Sequence, residues 1–346
     1  MPFLCAQIHR LISRTLPIPT RRLLNGLLKL LLVGLIGWAL YQQVLAGEDQ
    51  RALWANFLRH FGGREHLYFL VAAVGLVPIN WALETAKFRF LIRAFTTKGF
   101  WESYRIVLAG VAVSIFTPNR VGEYGGRVLL VEARYNWKVV VATLVGSLAQ
   151  LLALLCGGLT GGSYFLSVYL LPDEPWLPYG LVGLGALVAG LLFLYFRIST
   201  TVRLTRSWPF PAGLRRYLRH LIVLRHYRKR ELLVTLGYGL LRYLTYCTQY
   251  YLLLRFYGIG IDYPTALAGA ATIYLIHSGL PLPPVVGFLA RGNIAILVWG
   301  IFTDQDLDIL AASYSLFTLN LALPALIGAV FILQTNLLKS LGYGSD

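Results

Sequence analysis

Thr117, Pro118, Asn119, Arg120, Gly122, Glu123, Gly126 and Arg127 fall within eleven residues, TPNRVGEYGGR, that set two arginines and a carboxylate into an otherwise apolar neighbourhood. The planar donors of a guanidinium engage two oxygens at once, so arginines in this setting suit a phosphate. Glu123 is close enough in sequence to orient either arginine or to meet a cationic group. The apolar run leading into the motif, residues 106–116, is only eleven residues long, whereas a helix needs roughly 20 to cross a bilayer. The chain is therefore expected to enter the membrane and turn back. Pro118 removes a backbone donor and Gly122, Gly125 and Gly126 tolerate either handedness, which predicts a helix break inside the motif. Broken backbone at that depth survives only beside protein or a water-filled cavity. An ordinary polar loop between two spans is the competing reading.

Further charges sit at similar depth. Glu84 and Lys87 are three residues apart and share one helix face near the expected interface, either as a solvated ion pair at a helix end or as a gate or headgroup contact. Arg242 lies about midway along the apolar run 232–254, where it has to face the protein interior or an aqueous cavity. Arg291 belongs to a second interrupted stretch: an apolar leg over 265–276, the break HSGLPLPPVVG at 277–287, and a returning leg to residue 302.

The elements that must position these groups follow from composition and charge. The chain is 57% hydrophobic and 13% charged, with a mean hydropathy of +0.63, which marks an all-α integral membrane protein. Its net charge of +16 does not imply nucleic acid, because the basic residues lie between apolar runs instead of lining a soluble domain. Cys5, Cys156 and Cys247 lack metal-ligand spacing and read as thiols without disulfide or metal.

Residues 1–29 form a basic cytoplasmic N-terminus ahead of a first span at 30–45. That is a signal-anchor pattern, with a cleavable signal as the competing reading because Ala46 and Gly47 are small. Further full spans are expected at 67–83, 139–158, 179–196, 232–254 and 309–333, with 46–66 and 159–178 outside. The stretch 196–231 is read as a basic cytoplasmic loop: residues 197–230 hold ten Lys or Arg. Helically spaced Leu214, Tyr217, Leu218, Leu221 and Ile222 suggest an interfacial helix within it. With both interrupted elements read as dips, 25 of the 31 Lys and Arg fall on the cytoplasmic side. Reading the dips as full spans would expose the ten-charge loop externally and is rejected on that ground.

The layout is thus about six transmembrane helices plus two re-entrant hairpins in one polytopic domain, 30–335, followed by a tail, 336–346. Both termini are expected in the cytoplasm, and the inner cell membrane is the expected location. Three spans and a late dip on each side of residue 170 fit a 3+3 inverted repeat, a transporter architecture.

TPNRVGEYGGR, preceded by NWALETAKFRF and followed by SLAQLLALLCGG, resembles the transmembrane domain of bacterial lysylphosphatidylglycerol synthases and related stand-alone flippase-like proteins, over roughly residues 25–335. The resemblance implies movement of an amino-acylated phospholipid or lipid-linked sugar between leaflets, without a cofactor. It matches Thr117, Pro118, Arg120, Gly122, Glu123 and Arg127 to the family's first motif, and Glu84 and Lys87 to its preceding charged pair. The second motif departs from the family, with Gly287 where an acidic residue is expected before Arg291.

On this reading Arg120 and Arg127, with Arg242 and Arg291 as further candidates, bind headgroup phosphate. The expected partners are a membrane phospholipid or lipid-linked substrate and, in a scaffolding alternative, a separately encoded membrane transferase. No enzymatic activity is expected: the six histidines are scattered, no HExxH or Gly-x-Ser-x-Gly occurs, and the soluble domain that synthesises the lipid in full-length relatives has no counterpart after the last span.

Overall fold

A chain in lipid must satisfy its backbone internally, and long apolar runs do so as helices. In the computed structural model, which describes residues 18–42, 50–63, 66–117, 120–198, 200, 223–225, 227–279 and 284–340, every regular element is helical. In chain order these are α1 (Ile18–Leu40), α2 (Gln50–Gly62), α3 (Leu67–Ile92), α4 (Phe100–Ser114), α5 (Gly122–Val128), α6 (Ala133–Leu170), α7 (Leu177–Phe196), α8 (Lys229–Phe256), α9 (Tyr263–Ser278), α10 (Pro284–Trp299), α11 (Asp306–Gln334) and α12 (Leu337–Ser340). Five of them, α1, α3, α6, α7 and α11, are long and apolar enough to cross a membrane. The 28-residue α8 is also long enough, but it is not among the five.

Several boundaries differ from the sequence reading. The first helix begins at Ile18, well before the expected span at 30–45. The stretch read as an external loop at 46–66 contains α2, whose Asn56 donates to Asp308 Oδ1 at 2.6 Å and so ties it to the start of α11. The apolar run at 139–158 does not end in a loop: α6 continues to Leu170 through two wider π-turns, Gly158–Gly162 and Leu166–Leu170. Glycines and apolar residues without a proline give that helix no reason to stop. The interfacial helix expected at 214–222 lies outside the described residues.

The core is divided. One apolar cluster joins the end of α1, the inner face of α3, α4, the first half of α6 and the C-terminal half of α11. The other joins the C-terminal half of α8 with α9, α10 and the first half of α11. The α4–α5 pair therefore packs on one end of α11 and the α9–α10 pair on its other end, while α9 also lies against the π-turns of α6. Between the two clusters α3 and α8 run in extensive contact.

Close backbone approach fixes this arrangement. A Cβ at Gly328 would lie 2.0 Å from the Leu108 carbonyl oxygen, so α11 meets the α4 backbone at a position that has no room for a side chain of its own. Asp262 starts α9 by accepting the Thr265 N–H at 3.0 Å, a bond that holds its carboxyl below the usual value. The first helix is joined to α11 and α12 by polar contacts, from Lys29 Nζ to the Leu333 carbonyl at 2.6 Å and from the Leu337 N–H to Asn25 Oδ1 at 2.9 Å.

Candidate functional site

On α3 the residues Asn80, Trp81, Glu84, Lys87 and Phe88 recur at helical spacing and are all buried, so one face of an apolar helix carries a polar stripe into the protein. Glu84 is its centre. Its Oε1 accepts from Arg127 of α5 at 2.7 Å, and its Oε2 accepts from Lys87 and from Arg242 of α8, each at 2.7 Å. These four groups are at most 5% exposed. The expectation of a solvated pair near the interface is thus corrected for Glu84 and Lys87: they lie where α3, α5, α6 and α8 meet. Three cations around one carboxylate offset the large cost of taking the Glu84 charge out of water.

Amides extend the network into the other helices. Arg242 Nε donates to Asn80 Oδ1 at 2.9 Å, and Asn80 donates to Asn320 at 2.7 Å. Asn320 occupies a π-turn, Thr318–Ala322, midway along α11, a distortion that recurs at functional positions. Gln150 of α6 is 3.4 Å from Lys87 Nζ and donates to the Gly239 carbonyl of α8 at 3.2 Å. Sequence reasoning did not single out Asn80, Gln150 or Asn320. The available signal was a lone amide within an apolar span, which must find a polar partner in the bundle.

The interrupted motif joins this network through Arg127, whose guanidinium also meets Glu123 one turn earlier on α5. Glu123 lies 3.8 Å from Arg120, whose side chain is 42% exposed. Arg127 and Arg120 are therefore unequal: the first is enclosed between two carboxylates and the phenyl face of Phe88, and the second reaches the surface of the site.

The break falls earlier than the glycines suggested. Thr117 bridges it, its hydroxyl donating to the Ser114 carbonyl at 3.1 Å and accepting the Gly122 N–H at 2.8 Å. Arg120 takes a left-handed conformation with φ 58°, the only non-glycine residue to do so among those described. A side chain there costs about 1–2 kcal/mol, a strain that clusters at ligand clamps and switch regions. Pro118 and Asn119 lie outside the described residues. Gly122 and Gly126 are helical instead, and their task is contact: an added Cβ would fall 2.3 Å from the Val113 carbonyl oxygen and 2.5 Å from that of Ala109, respectively. That closeness lets the short α5 lie directly along α4.

The second interruption, between α9 and α10, brings together Arg291 and His277, with Arg291 Nε donating to His277 Nε2 at 3.2 Å. Arg291 also stacks over the Phe317 ring of α11, 5.3 Å from its centroid. Among the described residues no carboxylate pairs with Arg291, and its charge lies close enough to Arg120 for the two to repel. The surroundings of Gly287, where the resemblance leads one to expect an acidic residue, lie outside what is described. All the expected cationic site residues thus converge on one region, Lys87, Arg127 and Arg242 as a closed cluster, Arg120 and Arg291 as its open members.

Among the described residues no group of His, Cys, Asp and Glu is arranged to hold a metal ion. Cys156 and Cys247 are free thiols. A search of curated proteins finds no match. Residues 26–328 match the family model described as the lysylphosphatidylglycerol synthase TM region, nearly the whole chain, and the protein belongs to that family.

Proposed function

We propose that the protein is a flippase-like membrane protein that moves a phospholipid or lipid-linked substrate between leaflets without covalent chemistry of its own, its headgroup phosphate met by Arg120 at the first helix break. The observation that carries this reading is a buried, charged network across the middle of the bundle that ends in an exposed, backbone-strained arginine. Ionisable groups inside a membrane protein mark substrate paths, and helices broken at depth line the sites of transporters. Arg127 and Arg242, each bonded to Glu84, hold that site in place.

The corresponding architecture has six spans, α8 joining the five apolar helices, and two re-entrant hairpins, α4–α5 and α9–α10. Their helices run 15, 7, 16 and 16 residues, short of a crossing. Packing of the hairpins on opposite ends of α11 supports an inverted repeat. With both termini cytoplasmic in the inner membrane, the turn between α6 and α7 is external. In a cysteine-free background, Asp173→Cys and Ser207→Cys are then expected to react with an impermeant maleimide from opposite sides of the membrane; same-side labelling overturns the layout.

Transport is tested by reconstitution into liposomes with headgroup-labelled phospholipids. Arg120→Ala is expected to slow movement between leaflets at least tenfold at normal folded yield, and Arg120→Lys to recover part of it, because an ammonium lacks the paired planar donors. Wild-type protein that moves no lipid overturns the proposal and favours lipid presentation to a separately encoded transferase.

A further inference from the structure

Donors without acceptors gather at the second helix break. Arg291 Nε can only donate, so His277 Nε2 accepts and the neutral imidazole carries its proton on Nδ1. Among the described residues that buried Nδ1 has no partner, and neither has the buried Nε of Arg120 or the buried hydroxyl of Tyr274. Tyr274 and His277 are three residues apart on α9, on one face. Arg120, Tyr274 and Tyr246 lie within electrostatic range of Arg291. Tyr246 in turn accepts from Arg242 at 3.3 Å, which joins this group to the Glu84 network. Among the described residues the Arg120 Nε–H, the Tyr274 O–H and the His277 Nδ1–H near the two helix breaks are thus left without a protein acceptor.

The charge balance has the same sign. Lys87, Arg120, Arg127, Arg242 and Arg291 face two carboxylates, and both of those are already engaged: Glu84 by Lys87, Arg127 and Arg242, Glu123 by Arg127 and Arg120. A guanidinium out of water without a counter-charge is unfavourable, and so is an unmet buried donor. Both are relieved by one kind of ligand, an anion with several acceptor oxygens. An added ammonium meets no free carboxylate among the described residues of this network, because Glu84 and Glu123 are both engaged.

We propose that Arg291 and Arg120, with Tyr274 and His277, form an anion site between the two helix breaks that takes a phosphoester group of net negative charge and discriminates against headgroups carrying an added amine. This rests on the lipid-translocation reading and narrows its substrate: a plain anionic phospholipid headgroup fits the site, and a cationic aminoacylated one does not.

The test is equilibrium binding of a fluorescent short-chain phosphatidylglycerol to the purified full-length protein in non-ionic detergent, with unlabelled competitors. Phosphatidylglycerol is expected to displace the probe at least tenfold more effectively than phosphatidylcholine or lysylphosphatidylglycerol. Arg291→Ala is expected to weaken binding at least tenfold, with Arg291→Lys intermediate; the lysine variant keeps the comparison valid if the alanine variant folds poorly. Displacement by glycerol phosphate as strong as by the intact lipid supports the anion site and makes the free phosphoester its ligand. Equal binding of lysylphosphatidylglycerol, unchanged binding in both Arg291 variants, or no binding by wild-type protein overturns the proposal. Selective binding without movement in liposomes overturns translocation and leaves the anion site standing.

Discussion

Glu84→Gln is expected to destabilise the protein by about 3–5 kcal/mol, the cost of removing one partner from a buried ion cluster. The substitution keeps the shape of the side chain and removes its charge, which leaves Lys87, Arg127 and Arg242 around a neutral amide in a region shielded from water. Among the described residues, two of the three ions lose their only carboxylate partner; Arg127 keeps Glu123. Glu123→Gln is the matched control. Glu123 is 15% exposed and its loss leaves Arg127 bonded to Glu84, so its stability cost is expected to stay near that of a charged hydrogen bond, about 1.5–3 kcal/mol. Thermal unfolding of both variants in detergent reads the difference. Equal melting of Glu84→Gln and wild type would remove Glu84 as the centre of the assembly.

Gly328→Ala is expected to cost about 3 kcal/mol although it adds one methyl group, the upper part of the range for overpacked cores. The neighbour it meets is the Leu108 carbonyl at 2.0 Å, and a backbone oxygen cannot rotate away as a side chain would. The helices α4 and α11 have to separate, and α5, packed along α4 through Gly122 and Gly126, moves with them. The distance from Arg127 to Glu84 depends on that packing. Gly125→Ala is the neighbouring control, since nothing lies within 4 Å of its added Cβ, and there the better helix propensity of alanine makes the change neutral or slightly stabilising. Comparable melting of Gly328→Ala and Gly125→Ala would show that α11 is not in contact at Gly328.

Charge in an apolar setting was the feature most legible in the sequence. Arg242 in the middle of a hydrophobic run had to turn inward, and it does, onto Glu84 and Asn80. The two interrupted elements were legible for the same reason, because apolar runs too short for a span and ending in Pro and Gly leave few alternatives. Their partners were not, since Glu84 and Arg127 are 43 residues apart and nothing local specifies which helices meet. The glycines misled in a particular way: conformational freedom and lack of bulk are the same residue in sequence, and at Gly122 and Gly126 lack of bulk is what the fold uses. Arg120 takes the left-handed turn that a glycine was expected to make. The length of α6 was hidden by its glycines too, which as π-turns continue the helix past the expected loop.

The polar contacts between α1 and the end of the chain have a consequence for how the protein is made. Lys29 and Asn25 emerge from the ribosome 304 and 312 residues before their respective partners, the Leu333 carbonyl and the Leu337 N–H. The opening helix therefore enters the bilayer hundreds of residues before either bond can form, and only about a tenth of its apolar window is ever enclosed by the rest of the bundle. Its early partners are lipid and membrane insertion machinery. Its attachment to the bundle waits for α11 and α12, and a chain stalled before α11 is complete carries an α1 that has not yet been fastened.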